Sequence, residues 1–247
     1  YKICVVGGGM TGAIMALLLK KSKLFNTNDI AWIMPNIKIP NDLRTTFYNE
    51  ESIELLSKLN IWRDLKKSDY TNVKKIQVFG KKNTTPLIWN NSNKEQNFGA
   101  VVKNKVILDS IFSKLDDIKK FENFVTNTTC DNFERTLYFN DKHYIKTNLV
   151  LCADGKNSQL RKLLLIKTIL KKTGHIAISG FLEQSKNHQL TATQAFTELG
   201  PIGLLPFENK NKINFVLSVE ETKYKNILSK NNPEQYICDK LENFFSN

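Results

Sequence analysis

The sequence is poor in the residues that build metal centres and covalent frameworks. Its three histidines, His143, His175 and His188, are scattered, and its four cysteines, Cys4, Cys130, Cys152 and Cys238, form no CxxC pair and no Cys/His cluster. That spacing argues against a zinc site and against a disulfide framework, so no metal is expected. Cys4 and Cys152 lie inside apolar, strand-like runs, where cysteine packs as a small hydrophobe, as expected of reduced thiols in a cytoplasmic protein. Long apolar runs are also missing. The one near the start, residues 13–19, is far too short to span a bilayer, and it follows glycines rather than a basic leader, so no signal peptide is expected. Acids are in deficit: 24 Asp and Glu stand against 36 Lys and Arg, a net charge of +12. The lysines are spread along the chain in pairs such as Lys20-Lys21, Lys66-Lys67 and Lys171-Lys172, without an arginine-rich or aromatic-interleaved tract. No nucleic-acid partner is therefore expected. Attraction to an anionic membrane face remains open, which would make the protein peripheral at the inner membrane. There is also no residue set for nucleophilic or paired-carboxylate hydrolysis, and no catalytic residue is assigned.

What is present is ordinary globular material. The 247 residues are 41% hydrophobic and 24% charged, enough for one large or two small domains with a buried core. Residues 2–6 (KICVV) form a β-branched run that stops at glycines and predicts a buried parallel strand. Residues 12–24 predict a helix with apolar residues on nearly every side, and 29–34 (DIAWIM) a second strand, completing a β-α-β unit. An amphipathic helix follows over 49–59, with acids in its first turn. Short strand-like pieces occupy 74–102, a helix begins at Asn104 and runs to about residue 115, and 136–140 with 143–153 read as a hairpin returning into a buried strand. Beyond residue 172, strands are expected at 176–182, 191–197, 202–206 and 213–219, and a helix at 233–245. The expected fold class is α/β: a Rossmann-like domain over 1–72 and 100–172, with a mostly antiparallel β-sheet domain over 73–99 and 173–247.

The strongest motif is VVGGGMTG, in which Gly7-x-Gly9-x-x-Gly12 lies between a predicted strand and a predicted helix. In that context the glycines provide a tight turn, close backbone approach to a pyrophosphate, and close helix–strand packing. Free N–H groups at the helix start then face the phosphates, so Gly7, Gly8, Gly9, Met10, Thr11 and Gly12 are the expected cofactor loop. One usual part is missing. The second strand ends in Met34 and Pro35, with no carboxylate for the adenosine ribose, and the nearest downstream acid is Asp42.

Three further segments resemble flavin-dependent aromatic hydroxylases. Asp42-Leu43-Arg44 with Ser52 and LLSKLNIW resembles their D-x-R…S…L-x-x-L-G-x-W segment. LVLCADGKNSQLR, residues 149–161, resembles V-x-A-D-G-x-x-S-x-x-R. FTELGPIGLLPF, residues 196–207, resembles the F-x-x-x-G-P-L-A-L-L-P segment of the ubiquinone-biosynthesis branch. The resemblance implies FAD as cofactor and NAD(P)H as co-substrate. It implies that Arg44, Asn104, Asp154 and Gly155 contact the cofactor, with Lys105 where the family has arginine. It implies that Gly200, Pro201, Leu204 and Pro206 wall a substrate pocket. For Phe196, Leu204 and Phe207 both pocket lining and core packing stay open, as do structural and electrostatic roles for Arg161.

The implied reaction is NAD(P)H- and O2-dependent hydroxylation of a polyprenyl phenol in ubiquinone biosynthesis, among other proteins of that pathway. Family members carry a third cofactor segment, G-D-A-x-H…P…G-x-G-x-N. The chain reaches Asn247 without it, so a product truncated before that segment, lacking the C-terminal part of the family fold, is expected. Two other readings remain open: a non-catalytic, truncated flavoprotein-like subunit of a biosynthetic complex, and a different flavoenzyme such as a polyprenyl reductase.

Overall fold

The computed structural model describes residues 1–35, 44–80, 82, 84–90 and 96–245. The chain begins with β1 (Ile3–Val6), α1 (Met10–Ser22), β2 (Ile30–Ile33), β3 (Thr45–Asn49), α2 (Glu50–Lys58) and β4 (Tyr70–Val73). It continues with β5 (Lys75–Phe79), β6 (Leu87–Asn90), β7 (Gly99–Lys103), α3 (Asn104–Phe112), β8 (Lys119–Phe121) and β9 (Val125–Asp131). Then come β10 (Glu134–Phe139), β11 (Tyr144–Thr147), β12 (Leu149–Cys152), α4 (Gln159–Leu163) and β13 (His175–Glu183). The last elements are β14 (Thr191–Phe196), β15 (Pro201–Pro206), β16 (Lys212–Glu220), α5 (Glu221–Leu228) and α6 (Pro233–Phe245).

These elements fall into two compact units. The first comprises Tyr1–Asp42, Leu56–Asp64 and Asn104–Ile169. Its centre is a four-stranded sheet in the order β12-β1-β2-β8, all parallel. β1 and β2 are buried along their whole length, as interior parallel strands covered on both faces should be. One face meets α1, which in turn packs on α3. Trp32 reaches across there and stacks on Phe112 with ring centroids 5.3 Å apart. The other face carries a core of Cys4, Val6, Ala31, Ile33, Val125, Leu137, Phe139, Ile145 and Leu160. Val125, Leu137, Phe139 and Ile145 come from the antiparallel sheet β11-β10-β9, which roofs the parallel one.

The second unit comprises Leu43–Leu55, Leu65–Lys103 and Leu170–Asn247. A six-stranded sheet, β13-β16-β15-β14-β5-β6, is antiparallel throughout except where β14 runs parallel to β5. A smaller antiparallel sheet, β3-β7-β4, accompanies it. Alternate residues of β16 (Phe215, Leu217 and Val219) meet Ile227 of α5 and Ile237 and Leu241 of α6 in one core. Residues 43–55 and 65–72 belong to this unit because β3 and β4 both pair with β7. The expected boundary at residue 72 places them with the dinucleotide-binding part instead.

Two expectations are corrected. Residues 143–153 are not one strand. The chain switches sheets at Asn148, so β11 pairs antiparallel with β10 and β12 pairs parallel with β1. Nor is β12 buried: it is the open edge of its sheet, Leu149 is 51% exposed, and Cys152 is exposed.

Candidate functional site

In a parallel sheet the loops that follow the strands gather at one edge, where open α/β folds bind ligands. Here β1 ends at Val6 and β12 ends at Cys152, side by side in register. The glycine loop after β1 and the Ala153-Asp154-Gly155 segment after β12 therefore leave the sheet as neighbours. The Ala153 N–H donates to the Val6 carbonyl at 2.7 Å, and Gly7 lies so close that a Cβ there would sit 2.2 Å from the Ala153 oxygen. Gly7 also has φ of +134°, outside the range of L side chains, so both the turn and the strand spacing require glycine.

The three glycines of the fingerprint have different surroundings. A Cβ on Gly12 would lie 2.0 Å from the Gly7 oxygen, which fixes α1 tightly against the loop. The same oxygen accepts the indole N–H of Trp32 at 2.9 Å, so β2 braces the loop from its other side. A Cβ on Gly9, in contrast, would meet nothing within 4 Å, and this residue is exposed. Gly9 is the N-cap of α1 and brings no side chain to its free N–H groups, so the helix start stays bare. Gly8, Met10 and Thr11 complete the loop, with Gly8 beside Met34 at the end of β2.

Asp154 is half-buried, and each of its oxygens is held. Oδ1 accepts from the Cys152 thiol at 3.0 Å, and Oδ2 accepts the Leu160 N–H at 3.2 Å. Burial alone would raise its pKa, but hydrogen bonds from Ser158, Cys152 and Leu160 hold the carboxyl below the usual carboxylate range. Ser158 is the N-cap of α4, its hydroxyl oxygen accepting the Arg161 N–H at 3.0 Å. Helix capping is thus shared between Ser158 and Asp154. Arg161 donates from its guanidinium to the Lys156 carbonyl at 2.5 Å, a contact back to the loop that precedes α4. Gly155, with φ of +81°, is exposed beside Asp154.

The remaining expected residues are more dispersed. Arg44 is exposed just ahead of β3, while Asp42 and Leu43 of its motif lie outside the described residues. Asn104 opens α3 and is half-buried, and Lys105 pairs with Asp109 at 2.7 Å one turn on. In the second unit, Gly200 and Thr197 exchange backbone hydrogen bonds at 3.1 Å in the turn from β14 to β15. Pro201 is exposed, Pro206 is buried, and Leu204 packs on the main core of the unit. Phe207 is core, its ring tilted 33° against Phe181 with centroids 4.8 Å apart. Phe196 differs: it is 49% exposed and lines an open cleft of about 360 Å³ with Thr197, Leu199, Lys82, Lys240 and Phe244. None of Gly200, Pro201, Leu204 and Pro206 lines that cleft. The bracing by Trp32 and the thiol contact of Cys152 have no signal in the sequence. Both contacts arise from the fold rather than from a motif.

No family model matches the chain. It is similar to the ubiquinone biosynthesis monooxygenase COQ6, mitochondrial, of Caenorhabditis elegans, with 26% identity over 229 residues, covering 85% of this chain and 50% of the relative. The Dictyostelium discoideum protein of the same name is 24% identical over 251 residues, again with 85% and 50% coverage. The chain therefore spans about half the length of the curated relatives it matches. These relatives are named for ubiquinone biosynthesis, the pathway of the branch that the sequence motifs resemble. Among solved structures, PqsL of Pseudomonas aeruginosa superposes with a TM-score of 0.78 at 14% identity, over 95% of this chain and 65% of that one. A salicylate hydroxylase gives a TM-score of 0.69 at 17% identity over 89% and 56%. CmlS, a flavin-dependent halogenase, gives 0.73 at 16% identity over 97% and 45%. The fold is that of the flavin-dependent aromatic hydroxylases.

Proposed function

We propose that this chain provides the dinucleotide-binding and β-sheet parts of an FAD-dependent monooxygenase that hydroxylates a polyprenyl phenol in ubiquinone biosynthesis, using NAD(P)H and O2. The observation that carries the reading is the meeting of two motifs. The Gly7–Gly12 loop and Asp154-Gly155 leave adjacent parallel strands at one end of the sheet. The residues present suit the ADP half of FAD: a bare helix start accepts the pyrophosphate, and Gly9 leaves its approach open.

When bound, the flavin supplies the redox and oxygen chemistry. The chain's own residues bind and orient. Gly8, Gly9, Met10 and Thr11 present backbone N–H groups to the phosphates, and the Asp154 carboxylate accepts hydroxyls of the ribityl side. The family resemblance further assigns Arg44, as a cation, and Asn104, as an amide, to cofactor binding. The β15 segment with Gly200, Pro201, Leu204 and Pro206 shapes the wall on which the phenol lies. In this reading the protein acts at a membrane surface where its substrate resides, beside other enzymes of the pathway. Among the described residues no helix is long and apolar enough to cross a membrane.

The test is NAD(P)H oxidation by the FAD-loaded protein with and without a short-chain prenyl phenol, with mass analysis of the product. Gain of one oxygen atom by the phenol supports the reading; NAD(P)H oxidation that ignores the phenol contradicts it. One observation favours a second reading, a non-catalytic subunit that keeps the fold. β2 runs into Met34 and Pro35, where a carboxylate would hold the adenosine ribose. Under that reading the protein takes up FAD weakly or not at all.

A further inference from the structure

Cys152 lies two residues before Asp154, at the open edge of the parallel sheet, and its side chain is turned toward the loop that follows. Its sulfur stands 3.0 Å from Asp154 Oδ1 and 3.5 Å from Ser158 Oγ. An ionised carboxylate is an acceptor only, so in the sulfur–carboxylate pair the thiol must be the donor. Ser158 in turn has its oxygen engaged by the Arg161 N–H, and the second carboxylate oxygen is engaged by the Leu160 N–H. The carboxylate is therefore held from two directions. The start of α4 holds the carboxylate through the Leu160 N–H at Oδ2 and through the Ser158 side chain, and the Cys152 thiol holds Oδ1 from the strand side. A side-chain carboxylate turns freely about its last bond, so with one oxygen tethered its plane is still loosely set. A second tether sets it.

We propose that Cys152 is a positioning residue for the dinucleotide site: its S–H holds the Asp154 carboxylate in the orientation with which it meets the cofactor. This rests on the reading of Asp154 as an FAD contact. The remaining cysteines are elsewhere. Cys4 is buried in the core of the first unit, Cys130 is exposed on β9, and Cys238 lies on α6. The sequence V-L-C-A-D-G thus places one thiol where it can act on the carboxylate, and a residue without a donor at that position would remove this tether from Oδ1.

The test is an FAD titration of the full chain by flavin fluorescence, with Cys152→Ala and Cys152→Ser beside the unaltered protein. Thermal melts report whether each variant is folded. A second measurement needs no cofactor: the rate of iodoacetamide labelling at Cys152, followed by peptide mass mapping, in the unaltered chain and in Asp154→Asn. The thiol donor is a weak one, so Cys152→Ala is expected to weaken FAD about fivefold, the worth of an ordinary hydrogen bond rather than of one to a charged group. Cys152→Ser keeps a donor and should restore binding to within about twofold. Asp154→Asn removes the negative charge that faces the thiolate, so Cys152 should label faster. Cys152→Ala binding FAD as tightly as the unaltered chain overturns the proposal, and so does a labelling rate indifferent to Asp154→Asn. If the unaltered chain binds no FAD, the cofactor reading fails and takes the positioning role with it. If it binds and Cys152→Ala binds equally, only the positioning role fails.

Discussion

Replacing Gly9 and Gly12 separately by alanine should divide stability from binding, because the two sites differ in what a methyl group meets. At Gly12 the new Cβ would lie 2.0 Å from the Gly7 oxygen and 2.9 Å from its carbon. Carbon and oxygen need more than 3 Å, roughly, for van der Waals contact, so α1 or the loop must retreat by about an ångström. The loop cannot retreat cheaply, since Gly7 is pressed against Ala153 and its carbonyl is held by Trp32 Nε1. Overpacking of this kind costs about 1–3 kcal/mol. A middle value of about 2 kcal/mol corresponds to a melting temperature lower by roughly 4–8 °C. At Gly9 a Cβ meets nothing, and φ of −81° with ψ of −178° suits alanine, so the melting temperature should stay within about 1 °C. That methyl group would nevertheless occupy the approach of a pyrophosphate. A clash of about 1–3 kcal/mol there weakens FAD roughly five- to hundredfold. The assay is a thermal melt and a flavin-fluorescence titration of each variant. A Gly9→Ala chain that binds FAD normally, or one that loses stability as Gly12→Ala does, would refute the reasoning.

Other perturbations follow from the same contacts. Asp154 has its pKa lowered on folding, so its contribution to stability is complete above about pH 4, near the unfolded value, and is lost as pH falls through the lower folded value. In melts across pH, the deficit of Asp154→Asn should therefore be constant from about pH 5 to 8 and shrink below about pH 4. His188 is buried, with Nε2 2.9 Å from the Asn209 carbonyl and Nδ1 accepting the Leu190 N–H at 3.0 Å, and burial pushes its pKa down. The unfolded chain takes up the proton first, so the second unit should lose stability as pH drops below about 6.5, and His188→Asn should flatten that slope in melts between about pH 7.5 and 5.5. Asn214, 3% exposed, donates to the Gly180 carbonyl and accepts from Thr45 Oγ1, both at 2.9 Å. Asn214→Leu strands both partners and should cost about 1–3 kcal/mol in denaturant unfolding without altering FAD affinity.

The elements legible in the sequence are those with a strong local cause. β1 and β2 are apolar runs bounded by glycine or a turn, α1 follows the fingerprint, and α2 begins with Asn49 accepting the Ser52 N–H ahead of Glu50 and Glu51. β3, β4, β8 and β9 were missed because their sequences (TTFYN, YTNV, KKF and VTNTTCD) carry little apolar alternation. Each becomes a strand through partners far along the chain or, for β9, through an exposed roof in which only Val125 is buried. α5 was missed for a similar reason: only Ile227 of ETKYKNIL is buried. At the candidate site, the glycines and Asp154 could be read because backbone approach and a strand-end acid leave a fixed spacing. Trp32 reads as an ordinary core residue until the fold brings its indole to Gly7, 25 residues away in sequence. Cys152 likewise reads as a strand hydrophobe until β12 proves to be a sheet edge.

The central claim is that the loop after β1 and the segment after β12 together form a cofactor site. Its most direct test is an absorbance spectrum of the purified chain after incubation with FAD and removal of free flavin by desalting. Retained bands near ~450 nm, as for a protein-bound flavin, are the result predicted, and they should be weaker in Gly9→Ala while the fold persists. A colourless, fully folded protein would contradict the claim and leave a chain that keeps the architecture without its cofactor.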